Sequence, residues 1–500
     1  MPSVAIFPFL LPFLLVCAGG LACIGLEAFL NRATKHALLP WIGAAFLVAA
    51  GIAQALVGDP GQLGGILAMD TARSWLSLAI IASAMLGLCG LQQSLHRDQY
   101  PGGEPYALTL LASAGAMLMV MAIDTITLFL GLELASLCVY ALVGLRRHRK
   151  ESNEALFKYF VMGAVFSAIF LYGAALTYGA TGSTHLGANV LAGRQQLFLL
   201  GQALICIGLL FKVGAVPFHF WSPDAYAGAP AAVTGFMGAV IKVGGFAALG
   251  AVWLNQVAVV SGQGGGVLAL TDAVSVSVQA QRDLGRFNLV FLIVALLSLV
   301  LGNFSALRQN SARRLIAFSS IAHAGYMLLA FVLPSGTGQL QLTSLWFYLV
   351  GYAITTAGAL AALAALSGRE DAGDDLAGLA GQGRGQPFYG LVLTVFLVSI
   401  AGVPPTVGFL GKYLVFSELV GKSWTAIAVF AMVMAVVGAA YYFRLIIAVW
   451  SGARVEERRT GVPVLSSWTL AAAALVTVAL IAAPGLMSRR PSMPTAVATK

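Results

Sequence analysis

Residues 196–220 read QLFLLGQALICIGLLFKVGAVPFHF. An apolar run of about 20 residues is long enough to cross a bilayer as a helix. This run contains two residues that such a helix should reject. Lys212 carries a charge where lipid offers no partner. Pro217 removes a backbone donor and clashes with the preceding turn. A second stretch repeats the conflict: residues 387–418 read PFYGLVLTVFLVSIAGVPPTVGFLGKYLVFSE, with Pro404 and Pro405 followed by Lys412. Broken helices at membrane depth are tolerated where they border protein or water, and in transporters they mark ion sites. The two stretches together predict a polytopic helical membrane protein with charged groups inside its bundle.

Composition points the same way. Of 500 residues, 59% are hydrophobic and 9% charged, against roughly 25% charged in a soluble domain. Mean hydropathy is +0.89. The apolar runs do not alternate with period two, which selects helices over a barrel. The net charge of +9 is no nucleic-acid signature, because the basic residues scatter through short loops. The five cysteines, Cys17, Cys23, Cys89, Cys138 and Cys206, lie in apolar stretches without a C-x-x-C pair, and read as packing residues. No Lys or Arg precedes Arg32, so the first apolar run reads as a retained helix and not a cleaved signal.

Fourteen spans are expected. The first eight are 4–29, 38–58, 72–93, 105–123, 125–145, 154–179, 196–220 and 229–254; the other six are 287–306, 312–333, 341–366, 387–418, 423–450 and 466–487. Loops after odd-numbered spans hold fifteen Lys and Arg residues; the opposite loops and the C-terminal tail hold eight. The positive-inside rule then puts the richer face in the cytoplasm and both termini outside. The longest polar stretches are 255–285 and 367–386. The second contains the glycine-rich GREDAGDDLAGLAGQGRGQ; it follows no strand and opens no phosphate-binding helix, so it is not read as a nucleotide site.

Apart from Arg73, Arg313 and Arg314, which stand in the first three residues of their spans and are counted with the loops, five basic residues fall inside spans: Lys158, Lys212, Lys242, Lys412 and Arg444, with Glu133 beside them in character. Six such charges, unpaired and unhydrated, would cost roughly 15–20 kcal/mol, more than the stability of a typical domain. They must pair, face the bundle interior or line water. Snorkelling from a helix end is an alternative for Lys158 and Arg444. It fits poorly for Glu133 and Lys242, which lie mid-span, and for Lys212 and Lys412, which lie beside helix breaks. A desolvated lysine can exchange a proton near neutral pH, and a nearby carboxylate such as Glu133 would hold it charged until that carboxylate's partner moves. Histidine is the natural intermediate carrier, which brings in His323 and, beside the first break, His219. Dividing spans 4–8 and 9–13 into two sets of five puts a broken, lysine-bearing span fourth in each. That placement predicts two inverted five-helix repeats, 105–254 and 287–450, flanked by an N-terminal three-helix segment, 1–104, and a final helix, 466–487.

Several segments resemble the antiporter-like membrane subunits of bacterial respiratory complex I, NADH:quinone oxidoreductase. They are FLGLELASLCVYALVG (129–144), EALFKYFVMGAVFSAIFLYGAALTYGATGS (154–183), FKVGAVPFHFWSPDAYAGAPAAVTGFM (211–237), RRLIAFSSIAHAGYMLLA (313–330) and IAGVPPTVGFLGKYLVF (400–416). The resemblance runs from about residue 105 to 450. It implies that Glu133 and Lys212 pair in a first half-channel, that Lys242 connects the halves, that Lys412 ends the second, and that Lys158 matches a family lysine. It further implies proton translocation by a subunit without a redox centre of its own. NADH, FMN, iron–sulfur clusters and quinone would be handled by other subunits. The partners implied are a neighbouring antiporter-like subunit, small membrane subunits and the lipid of a bacterial inner membrane, with no nucleic acid. A cation–proton antiporter or membrane-bound hydrogenase subunit of the same fold is the alternative. The loop SGQGGGVLALTDAVSVSVQAQ (261–281) is the least family-like stretch.

Overall fold

The computed structural model describes residues 6–57, 61–266, 268–336, 338–453 and 464–480. The helices run in chain order as α1 (Ile6–Glu27), α2 (Arg32–Leu56), α3 (Thr71–Arg97), α4 (Glu104–Met121), α5 (Thr125–Val143), α6 (Lys150–Thr181), α7 (Gln195–Val213), the short α8 (Ser222–Gly228), α9 (Ala231–Val260), α10 (Val278–Leu307), α11 (Ala312–Leu328), α12 (Thr343–Leu366), the one-turn α13 (Gln382–Gly385), α14 (Pro387–Ala401), α15 (Val407–Gly421), α16 (Thr425–Trp450) and α17 (Val464–Ala479).

Among the described residues twelve helices are long and apolar enough to cross a membrane, and Pro387–Ala401 and Leu465–Ala479 are shorter apolar helices. The expected span 387–418 is thus two pieces, α14 and α15. The last expected span is represented by α17; its end at 487, the start of the first span before residue 6, and the counted residues Arg454, Arg458, Arg459, Arg489, Arg490 and Lys500 lie outside the described residues. The expected 255–285 connector is shorter than its composition suggested, because α9 continues to Val260 and α10 begins at Val278.

Short polar side chains set the helix starts. Asp70, Asp124, Ser277 and Ser311 each accept from backbone amides in the first turn of α3, α5, α10 and α11, satisfying donors that have no partner within the helix. Two small antiparallel strand pairs lie in the loops that follow even-numbered spans. One is a hairpin of β1 (Gly61–Leu63) with β2 (Leu67–Met69); the other pairs β3 (Val274–Val276) with the distant β4 (Gly338–Leu340), Val274 opposite Leu340. The second pair joins the connectors after α9 and α11.

The helices sort by depth. The membrane-length windows of α9 and α12 are entirely buried by protein, whereas about a third is buried in α1, α6 and α16. α9 packs against α3, α4, α7 and α12, and α12 in turn against α14, α15 and α17. A charge on α9 therefore meets other helices and not lipid, which is the condition an intramembrane lysine needs.

Two residues counted with the loops, Arg73 and Lys422, are buried by protein at helix ends. Arg73, one turn into α3, pairs with Asp70 and donates to the Val120 carbonyl at 3.2 Å. Lys422 closes α15, pairing with Glu418 at 2.6 Å and donating to the Ala330 carbonyl at 2.9 Å.

A row of buried lysines, serines and tyrosines

The first break follows α7, whose last turn carries Lys212. Gly214 ends the helix with φ +70°, Pro217 lies in the non-helical link, and α8 resumes at Ser222. Lys212 is buried at 3% exposure. Its Nζ donates to Ser136 Oγ on α5 at 2.5 Å and lies 5.6 Å from the ring centres of both Tyr140 and Tyr159. A hydroxyl and two aromatic faces thus replace the water the ammonium has lost. Glu133, one turn before Ser136, is half-buried and accepts from Ser167 on α6. It makes no direct ion pair with Lys212; the two groups are linked through the helix face that carries Ser136 and through a small cavity of about 10 Å³ lined by Tyr140, Ser167, Phe211 and Lys212. That is about the space one water requires.

A second cavity of about 10 Å³ has Lys212, Tyr226, Lys242 and Ser320 on its wall. Lys242, in the middle of α9, is 5% exposed. Its Nζ donates to both oxygens of Ser320 on α11, the hydroxyl at 2.6 Å, and lies 5.4 Å from the centre of the Tyr352 ring. The Ser320 hydroxyl is also 3.0 Å from Tyr352 Oη and 3.2 Å from Tyr226 Oη.

His323 follows Ser320 by one turn of α11. Both ring nitrogens are occupied: Nδ1 meets Tyr348 Oη at 2.8 Å and Nε2 meets Tyr442 Oη at 3.1 Å. Tyr442 Oη also meets Ser319 Oγ. The His323 ring lies against Tyr326 and Tyr352. The Tyr326 ring in turn faces Lys412, with Nζ 5.2 Å from its centre.

The second break separates α14 from α15, with Gly402 at φ +88° and Pro404 and Pro405 in the link. Lys412 sits after the break and reaches back across it, donating to the Ile400 and Ala401 carbonyls at 3.1 and 2.8 Å. A cation at the C-terminal end of a helix satisfies its orphan carbonyls and meets the negative end of its dipole.

Glu133, Lys212, Lys242, His323 and Lys412 are thus brought onto one row across the bundle. The other sequence-selected residues are not. Lys158 is half-exposed on α6, paired with Glu154 at 2.6 Å and Asp224 at 2.9 Å. His219 is half-buried in the first break, lines neither cavity, and leaves Nδ1 without a hydrogen-bond partner. Arg444 donates to the Leu307 carbonyl at 2.7 Å and to the Gln309 carbonyl, closing the end of α10. Sequence reasoning missed Ser136, Ser167, Ser320, Tyr226, Tyr348, Tyr352 and Tyr442, which supply most of the contacts between the charged members.

It also missed a charge cluster at the ends of α3, α9 and α12. Asp371, in the connector after α12, accepts from Arg97 and Arg146, from the Ser367 hydroxyl and from the Ala231 amide that opens α9. Arg146 also pairs with Asp98 at 2.8 Å. Burial works against the Asp371 charge, yet Arg146, Arg313, the Ala231 amide and Arg97 hold its carboxyl below the usual aspartate value. Among the described residues no three His, Cys, Asp or Glu side chains converge as metal ligands, and the five cysteines are not in disulfides.

Fold and site define a class: a polytopic helical membrane protein with two broken helices and buried lysines between them. Residues 122–276 and 266–438 match the family described as NADH:quinone oxidoreductase/Mrp antiporter, TM. NADH-quinone oxidoreductase subunit N 1 of Koribacter versatilis is 38% identical over 390 residues, covering 76% of this chain and 72% of that protein. The subunit N of Salinibacter ruber is 35% identical over 453 residues, covering 88% and 84%. A chain of respiratory complex I from Thermus thermophilus superposes with a TM-score of 0.76 at 32% identity, covering 95% of this chain and 98% of that one. The chain belongs to this transmembrane family, in its NADH-quinone oxidoreductase subunit N branch.

Proposed function

We propose that this chain is a proton-translocating membrane-arm subunit of an NADH-quinone oxidoreductase, seated in a bacterial inner membrane beside other membrane subunits. In this reading NADH oxidation and quinone reduction take place in partner subunits, and this chain carries protons between two sets of five spans, α4–α9 and α10–α16, each with one broken span. Glu133 and Lys212 serve the first set, Lys242 connects, and His323 leads to Lys412 in the second. The observation that carries the reading is a cavity shared by Lys212 and Lys242, both of which stand on its wall. A proton leaving one lysine has a hydroxyl-lined space toward the next, and Ser320 and His323, one helical turn apart, extend the line toward Lys412.

The chemistry asked of these residues is modest. A lysine between hydroxyls, carbonyls and aromatic faces, with no carboxylate fixed to it, can bind and release a proton without breaking an ion pair. Tyrosine hydroxyls and histidine both donate and accept, so a proton can enter on one side of each group and leave on the other. The test is proton uptake by inverted membrane vesicles that hold the whole complex. Lys212→Ala and Lys242→Ala should each lower NADH-driven uptake by about tenfold or more, as expected for loss of a positioned proton-transfer group. The uptake is normalised to assembled complex, measured by NADH reduction of a soluble acceptor in the partner subunits. Parent-level uptake from assembled variants would refute the reading.

A further inference from the structure

The hydrogen bonds of Lys242 go to one serine, and the charge of the lysine decides which ways that serine's own hydrogen can point. A hydroxyl has one donor and two acceptor positions. Ser320 Oγ has three polar neighbours: Lys242 Nζ at 2.6 Å, Tyr352 Oη at 3.0 Å and Tyr226 Oη at 3.2 Å. Tyr352 donates to it. When Lys242 is an ammonium it can only donate, so both acceptor positions of Ser320 are filled. The serine hydrogen must then point to Tyr226. When Lys242 is a neutral amine its nitrogen offers a lone pair. The serine hydrogen can turn to that lone pair, and Tyr226 can donate into the acceptor position left open.

We propose that Ser320 is a hydroxyl rotor whose direction follows the charge of Lys242 and transmits it to Tyr226. Tyr226 lies on α8, beyond the break that follows Lys212, and shares with Lys212 the wall of the second cavity. The rotor therefore joins the connecting lysine on α9 to the lysine at the first break, through a residue of α11. It polarises the line between them: outward from Lys242 when the lysine is charged, inward when it is neutral. This inference rests on the proton-path reading of the row.

Ser320 is a positioning residue, and its backbone separates that role from simple packing. Lys242 Nζ is also held by the Ser320 carbonyl. Removing the hydroxyl leaves this tether, so the lysine keeps its place and loses the rotor. The same vesicles and normalisation serve for the test, with uptake followed across the neutral pH range in Ser320→Ala, Ser320→Thr and Tyr226→Phe, and with Lys242→Ala alongside. Ser320→Ala should lose about tenfold in uptake, the factor a hydrogen bond to a charged group is worth, and its pH profile should move relative to the parent. Ser320→Thr, which keeps a hydroxyl, should restore both. Tyr226→Phe removes the rotor's second partner and should reproduce the shifted profile; it carries the test alone if Ser320→Ala does not assemble. Parent uptake and an unmoved profile in Ser320→Ala or Tyr226→Phe, while Lys242→Ala is inactive, would overturn the rotor. Parent uptake in Lys242→Ala would instead overturn the proton-path reading beneath it.

Discussion

Lys212, Lys242 and Lys412 share a solution to the same problem. Each is buried, each donates to a serine or a backbone carbonyl, and each lies over a tyrosine ring. A desolvated cation–π contact is worth about 2 kcal/mol, so oxygens and rings together offset much of the insertion cost without an acid. Arg444 is solved differently. Its guanidinium holds the last carbonyl of α10 and that of Gln309 in the connector after it, a structural use that puts it off the row. Arg444→Ala should therefore lower the thermal unfolding midpoint of the purified complex, at a cost of about 1.5–3 kcal/mol for lost charge-assisted hydrogen bonds, while proton uptake per assembled complex stays at the parent value. Loss of uptake with an unchanged midpoint would place Arg444 on the path. The charged residues were legible because a Lys or Glu inside an apolar run is too costly to be incidental. The serines and tyrosines between them were not, because either residue sits in such a run at little cost and breaks no pattern. Lys158 shows the converse limit: residue type and family resemblance selected it, but only coordinates reveal Glu154 and Asp224 beside it and its half-exposed position.

At the scale of the element, the two breaks are built alike up to their lysines. α7 and α14 each end on a left-handed glycine, Gly214 and Gly402, before a proline-containing link. Proline chemistry made the breaks readable in the sequence, since Pro217, Pro404 and Pro405 each remove a helical donor and favour a break or kink, although α1 and α2 stay helical through Pro12 and Pro40. The side of the link on which each lysine stands was readable too; where its ammonium reaches was not. Lys212 belongs to the helix that ends, whereas Lys412 reaches back from the helix that begins. This difference has a measurable consequence. An alanine at either glycine must adopt a left-handed conformation, costing about 1–2 kcal/mol. A methyl at Gly214 would meet nothing nearer than Trp221 at 3.9 Å, but one at Gly402 would lie 3.0 Å from Lys412 Cδ and 3.1 Å from its Nζ. Gly402→Ala should thus displace the ammonium and lower proton uptake per assembled complex severalfold, and Gly214→Ala should lower thermal stability while sparing most of the uptake. Equal losses of uptake would mean that backbone strain alone governs both breaks.

For the whole molecule, hydropathy was enough to locate the membrane-length helices, because crossing a bilayer demands about 20 apolar residues of each. It could not locate what ties their ends together. Asp371 joins Arg97, 274 positions away, and Arg146, 225 positions away, and no local pattern records such partners; of the surrounding glycine-rich stretch the sequence excludes only a nucleotide site. The cluster nevertheless links the end of α3, the connector between α5 and α6, the start of α9 and the connector after α12. It therefore binds the helix that carries Lys242 to elements from both halves of the chain. Its pH response follows from the Asp371 carboxyl, which burial would raise but Arg146, Arg313, the Ala231 amide and Arg97 hold below its usual value. A group whose folded-state pKa is depressed stabilises the fold at pH above its unfolded value, about 3.9 for aspartate, and that contribution is lost as pH falls through the lower, folded value. Asp371→Asn removes it at every pH and leaves Arg146 short of a partner. Breaking such a buried pair from one side costs about 3–5 kcal/mol. The variant should accordingly unfold at a lower temperature than the parent by a constant margin from neutral pH down to mildly acidic pH. The margin should shrink only as the pH drops below the usual aspartate value and the parent's own carboxyl takes up its proton. A margin that already closes near neutral pH would show that Asp371 is not held ionised by its arginines. No margin at all would show that the four elements are joined by packing alone.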